Sequence, residues 1–122
     1  MTVYEYARAA LALWAETEGF VIFSERARVN GENPPSRYAV VSVISDVDGR
    51  HADNRARARK YRLQLDIVAY DYEAGRLPEW HAAAEAALIE ARMLPQGNYR
   101  MDWDDNTKQA YIQKDYLYTK AR

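Results

Sequence analysis

The chain has 122 residues, with 17 basic and 18 acidic side chains and a formal net charge of −1. It lacks cysteine, which excludes disulfides, thiol catalysis and cysteine-based zinc sites. No run approaches the ~18 uninterrupted apolar residues of a membrane span, and a near-zero charge gives no overall pull toward nucleic acid or anionic lipid. The start of the chain, with acidic Glu5 and no basic-then-apolar layout, does not read as an export signal, so the expected compartment is the cytoplasm, with no membrane partner. One domain over residues 1–122 is expected, burying about two-thirds of the surface its unfolded form exposes. Ten tyrosines, three tryptophans and two phenylalanines suit half-buried strand faces and protein contacts.

The first element is a helix from Thr2 to about Thr17, with Thr2 as N-cap and Glu5 three residues on. Val3, Tyr6, Ala7, Ala10, Leu13 and Trp14 are read as its buried face, leaving Tyr4 and Leu11 off the stripe. Gly19 ends it, and Phe20-Val21-Ile22-Phe23 reads as a short strand buried on both faces. Asn30-Gly31 and Pro34-Pro35 make about 26–36 a flexible loop. A second strand follows over Arg37 to Asp46, rich in Val, Ile and Tyr. From about 46 to 59 the chain turns polar and basic around Asp48-Gly49, as a long arm or hairpin tip would.

Lys60 to Tyr72 is the clearest strand. Tyr61, Leu63, Leu65, Ile67 and Ala69 fall on one side of a two-residue period, and Arg62, Gln64 and Asp66 on the other. After a turn at Glu73 to Arg76, Pro78 opens a helix running to Met93. Its stripe is Trp80, Ala83, Ala84, Ala87, Leu88 and Ala91, and the small alanines allow close approach to a sheet. Pro95 and Gly97 are expected to stop it. Tyr99, Met101 and Trp103, alternating with Arg100, Asp102 and Asp104, give a fourth strand, and Lys108 to Lys120 a fifth. The order α-β-β-β-α-β-β predicts an α+β two-layer sandwich, its largely antiparallel sheet covered by two helices.

The residues point to no reaction, cofactor or metal. His81 and Glu85, four apart, are two metal candidates without a third and read as a solvent-facing helix pair. His51 lies in the polar arm, no nucleophile elbow flanks a serine, and Asp102 to Asn106 lacks the glycine and glutamate of a calcium loop. An enzyme is therefore not expected. The strongest compositional anomaly is the arm and the strand after it, where Arg50, Arg55, Arg57, Arg59, Lys60 and Arg62 fall within thirteen residues. These could track phosphates, dock an acidic partner, or simply be solvated.

Several phrases resemble the tail-terminator, or tail-completion, proteins of long-tailed bacteriophages and prophages. They are the Pro-rich entry into a Tyr/Val strand (Pro34 to Val41), the strand ending Asp66 to Tyr70, the Ala-rich helix with a Trp near its start, and Lys114-Asp115-Tyr116-Leu117-Tyr118. The resemblance implies a non-enzymatic virion protein of the tail-neck region, assembled in the host cytoplasm. Several copies, commonly six, would form a ring that caps the tail tube and joins it to the head connector. Its implied partners are further copies of itself, the tail tube protein, the head-tail connector protein and the DNA passing through the ring. On physical grounds Arg55, Arg57, Arg59 and Lys60 are the expected arm contacts, and Tyr4 and Leu11 the expected subunit contacts. The alternatives are a nucleic-acid-binding α+β module using the arm, and another head-tail joining protein of the neck.

Overall fold

The computed structural model describes residues 2–24, 35–48 and 58–121. Two helices, α1 (Val3–Glu18) and α2 (Leu77–Glu90), lie on one face of a five-stranded sheet, in the order α-β-β-β-α-β-β along the chain. The strands are β1 (Val21–Ser24), β2 (Arg37–Asp48), β3 (Ala58–Tyr70), β4 (Met93–Asp104) and β5 (Gln109–Ala121), lying side by side as β1-β2-β3-β5-β4. All pairings are antiparallel except β1 with β2. The two-layer α+β sandwich expected from the sequence is the fold.

Helix α1 starts on a capping box: Thr2 N donates to Glu5 Oε1 at 2.7 Å, and Glu5 N to Thr2 Oγ1 at 3.1 Å. It ends where Gly19, at φ 78°, takes the left-handed conformation and Phe20 N reaches back to Ala15 O at 2.8 Å. Its buried face differs from the expected stripe. Val3, Ala7, Leu11, Trp14 and Ala15 are buried, with Leu11 0% exposed, whereas Leu13 is 76% exposed. At 100° per residue Leu13 stands about 130° from the centre of that arc and Leu11 within it, so the apolar residue off the stripe is Leu13.

A 3-10 turn over Asp71–Arg76 leads into α2, with Pro78 in its first turn. The sequence reading ran this helix to Met93, but it stops at Glu90, and Arg92, at φ 67°, turns the chain into β4. Tyr6 Oη donates to Ala91 O at 3.1 Å, which satisfies a carbonyl at the helix end and ties α1 to it. Met93, Pro95 and Gly97 are therefore strand residues. Gly97, at φ 74°, sits in a bulge between Gln96 and Arg100, where three residues of β4 are passed over against one of β5. Strand β1 is a half-exposed edge rather than a strand buried on both faces, because among the described residues its only strand neighbour is β2. Strands β2 and β3 run two residues farther toward their connection than expected, and the rest of the arm, 49–57, lies outside the described residues, as does 25–34 of the loop.

The core packs Leu63, Leu65, Ile67 and Ala69 of β3 with Ile112 and Tyr116 of β5 beneath Leu11, Trp80, Ala84 and Leu88 of the helices. At one end Trp14 stacks on Phe20 at 4.6 Å between ring centroids, and Phe20 meets the Trp80 edge at 5.2 Å. The guanidinium groups of Arg37 and Arg76 cover Trp80 at 4.6 and 4.5 Å. Arg37 also holds Glu73 at 2.7 Å and Glu18 O at 2.7 Å, so β2, α1 and the turn before α2 meet at one side chain. That hydrogen bond from Arg37 keeps the Glu73 carboxyl below its usual range.

Candidate assembly interface

His81 is the place where the structure departs furthest from the sequence reading. It is 3% exposed, not solvent-facing, because α2 is rotated so that Leu77, Trp80, His81, Ala84 and Leu88 face the sheet. Tyr116 Oη on β5 donates to Glu85 Oε1 at 2.9 Å and stands 3.0 Å from His81 Nε2. With its one proton given to Glu85, the hydroxyl accepts from His81, which requires a proton on the imidazole Nε2. Lys114 Nζ completes the chain at 2.8 Å from the other side of Glu85. Burial lowers the His81 pKa against the raising effect of Glu85. Burial also pushes the Tyr116 phenol well up, whereas Glu85 is raised by burial but brought below its ordinary value by Lys114 and Tyr116. Tyr99, displaced by the β4 bulge, closes the edge with its ring 5.5 Å from the imidazole. This chain of bonds, buried at His81 and Tyr116 and partly exposed at Glu85, ties α2 to β5. No group of three or more metal-ligating side chains occurs among the described residues.

The expected partner contacts fall in different places. Lys60 is exposed on β3, where its backbone pairs with Val47 and Thr119. Arg59 is in the same strand opposite Asp48 and Lys120, while Arg55 and Arg57 lie outside the described residues, as does His51. Arg62, counted with the arm cations, is held by Asp115 at 3.0 Å on the outer sheet face. Tyr4 is half-buried against the core, and Leu11 is filled into it.

What remains exposed and apolar is more informative. An open trough of about 650 Å³ runs between the helices, lined by Ala10, Leu13 and Trp14 of α1 and Ala83, Ala86 and Ala87 of α2. Of the stripe alanines expected to approach the sheet, Ala83 is exposed instead and lines the trough beside Ala86. Among the described residues strand β4 is an edge with no further strand beside it, and it exposes Leu94, Tyr99 and Trp103. A long edge with exposed aromatic side chains and unpaired backbone groups is a natural place for another chain to add. No helix among the described residues is long and apolar enough to cross a membrane.

No protein-family model and no curated protein sequence matches the chain. Among solved structures it is similar to a chain of the virion of a native gene transfer agent particle. The TM-score is 0.56 at 16% sequence identity, over 98% of this chain and 92% of that one. The fold is shared. The overlap takes in both helices and the five strands, so the likeness is of the fold from end to end of this chain rather than of one common motif.

Proposed function

We propose that this chain is a structural, non-catalytic subunit of a phage or phage-like virion, and within it a tail terminator. Several copies, commonly six, would close into a ring that caps the tail tube and meets the head connector. The observation that carries this reading is the end-to-end likeness of fold to a chain from a gene transfer agent virion. The local phrases around Pro34 to Val41, Asp66 to Tyr70 and Lys114 to Tyr118 point the same way. Exposed aromatics on the β4 edge and an apolar trough are features of a protein that binds proteins. In such a ring the α1 surface around Tyr4 and Leu13 would serve subunit contact, with Leu11 supporting it from inside. The arm cations would meet the tube or a neighbour.

The test is native mass against concentration with negative-stain imaging, beside co-sedimentation with tail tubes. A closed ring of 14.1 kDa subunits that caps tubes and stops their growth is the expected result. A monomer at every concentration that leaves tubes uncapped would overturn the reading.

A further inference from the structure

Strand β4 ends the sheet on the side away from β1, and among the described residues no strand pairs with its outer edge. Pro95 and the bulge between Gln96 and Arg100 interrupt its first half, but Arg100 to Asp104 run opposite Gln113 to Gln109 of β5 without a break. Met101 and Trp103 stand opposite the buried Ile112 and Ala110, so their side chains lie on the helix face, as does Tyr99 beside the His81 ring. Arg100, Asp102 and Asp104 take the outer face. Trp103 is 53% and Tyr99 45% exposed. The Trp103 N–H donates to Asp102 Oδ1 at 2.8 Å, so a side chain fills the place that a neighbouring strand's carbonyl takes inside a sheet. By the alternation of an antiparallel ladder, the backbone groups of Met101 face outward with those of Trp103.

Two copies can lay these edges antiparallel, with all helices on one side, only in registers that step by two residues. Charge separates those registers. An axis at Arg100 sets two guanidinium groups together, one at Asp102 or Asp104 sets two carboxylates together, and one at Trp103 sets Asp102 against Asp104. An axis at Tyr99 falls in the bulge. An axis at Met101 sets each Arg100 opposite the other copy's Asp102, each Tyr99 opposite its Trp103, and each Asn98 opposite its Asp104. Opposite charges and aromatic pairs then face each other, and like charges do not.

We propose that the β4 edge is a homodimer surface, on which two copies pair antiparallel about Met101 and continue one sheet through both. The outward backbone groups of Met101 and Trp103 exchange N–H···O bonds with the other copy. Arg100 and Asp102 fall at the intervening positions, where opposed side chains stand closest. Arg100, already bonded to Gln113 on β5, meets the carboxylate of the other copy's Asp102, which gives up the Trp103 N–H to a backbone carbonyl. The Tyr99 and Trp103 rings cover one another. The contact is isologous and closes at two copies. This dimer does not rest on the ring reading: it is a state of the free chain, and the heterologous contacts of a ring lie on other surfaces.

Charge exchange tests the register. Arg100→Asp and Asp102→Arg each put like charges at both pairs, and each variant alone should raise the dimer dissociation constant about tenfold or more in sedimentation equilibrium. Mixed 1:1 they should form a heterodimer, since every pair is then opposite in charge, and the chain carrying both exchanges should dimerise by itself. Both positions are exposed, and circular dichroism and thermal melts report folding separately. The chain has no cysteine, so Met101→Cys gives a single thiol about 5.5 Å between Cα atoms from its counterpart, and oxidised glutathione should cross-link it. Asp104→Cys, opposite Asn98 and about 20 Å from its own counterpart, should not cross-link.

Single exchanges that dimerise like the unaltered chain, a mixture that stays monomeric, or Met101→Cys that cross-links no better than Asp104→Cys would overturn the proposal. So would an unaltered chain that is monomeric at every concentration below ring formation. Tube capping is read separately: a Met101-paired dimer whose chain never caps tubes would remove the virion reading alone. A chain that caps tubes without this pairing would remove the dimer alone.

Discussion

Tyr116 bridges buried His81 and partly exposed Glu85 with one hydroxyl, and His81 depends on it. Replacing it as Tyr116→Phe keeps the ring but leaves the His81 N–H enclosed without its acceptor, while Glu85 keeps Lys114. The expected cost is about 1–3 kcal/mol, read from urea unfolding, and an unchanged midpoint would show that His81 does not rely on the bond. The same site sets a pH dependence. His81 is held below its ordinary value of 6.5, so the unfolded chain takes up that proton first as the solution is acidified. Its contribution is fully present above pH 6.5 and is lost as pH falls from there toward the folded-state pKa. Glu73 and Glu85 are held below their ordinary 4.5, so their contributions disappear in a second, more acidic step. Melting temperatures between pH 8 and about 2.5 should show both steps, and His81→Gln should remove the first only. Little of this was readable in the chain. His81 and Glu85 stood out as a pair four apart, but their partner Tyr116 is 31 residues beyond Glu85, and only strand pairing under a helix brings it there.

Elements were legible where one period dominated and misread where two faces competed. Strand β3 alternates cleanly, and its core residues Leu63, Leu65 and Ile67 are those the period selects. Helix α1 carries apolar residues over much of its circumference, so the pattern alone could not decide between Leu11 and Leu13. The sheet and α2 decide it. Leu11→Ala should therefore cost about 2–5 kcal/mol through lost burial and a cavity, while Leu13→Ala should stay within about 0.5 kcal/mol in the isolated chain. Equal losses in thermal unfolding would contradict the orientation of α1. The end of α2 was misplaced for another reason: the residue in the left-handed conformation is Arg92, not a glycine, so no helix-stop signal is written there. An exposed non-glycine residue at φ 67° carries strain, and Arg92→Gly should stabilise the chain by roughly 0.5–1 kcal/mol. Loss of stability in that variant would mean that the arginine side chain contributes more than its backbone costs.

At the scale of the whole molecule, the net charge of −1 hides a separation of charge along the sequence, cationic from Arg50 to Arg62 and anionic from Asp102 to Asp105. Composition records only the near balance, because the two runs are far apart in the chain. In the ring of the proposed function, attraction between such runs on neighbouring copies would have a range set by salt. From 50 to 500 mM monovalent salt the Debye length shrinks from about 14 to about 4 Å, so such attraction survives only at contact. Association should accordingly slow by about tenfold or more in stopped-flow light scattering, while dissociation changes less, since charges steer encounter more than they hold a packed contact. The apolar trough around Leu13 gives the opposing expectation. If burial of that trough governed assembly, association would be indifferent to salt in this range, and Leu13→Asp would abolish assembly at every ionic strength. The two slopes are far enough apart that one salt series on the unaltered chain decides which surface leads.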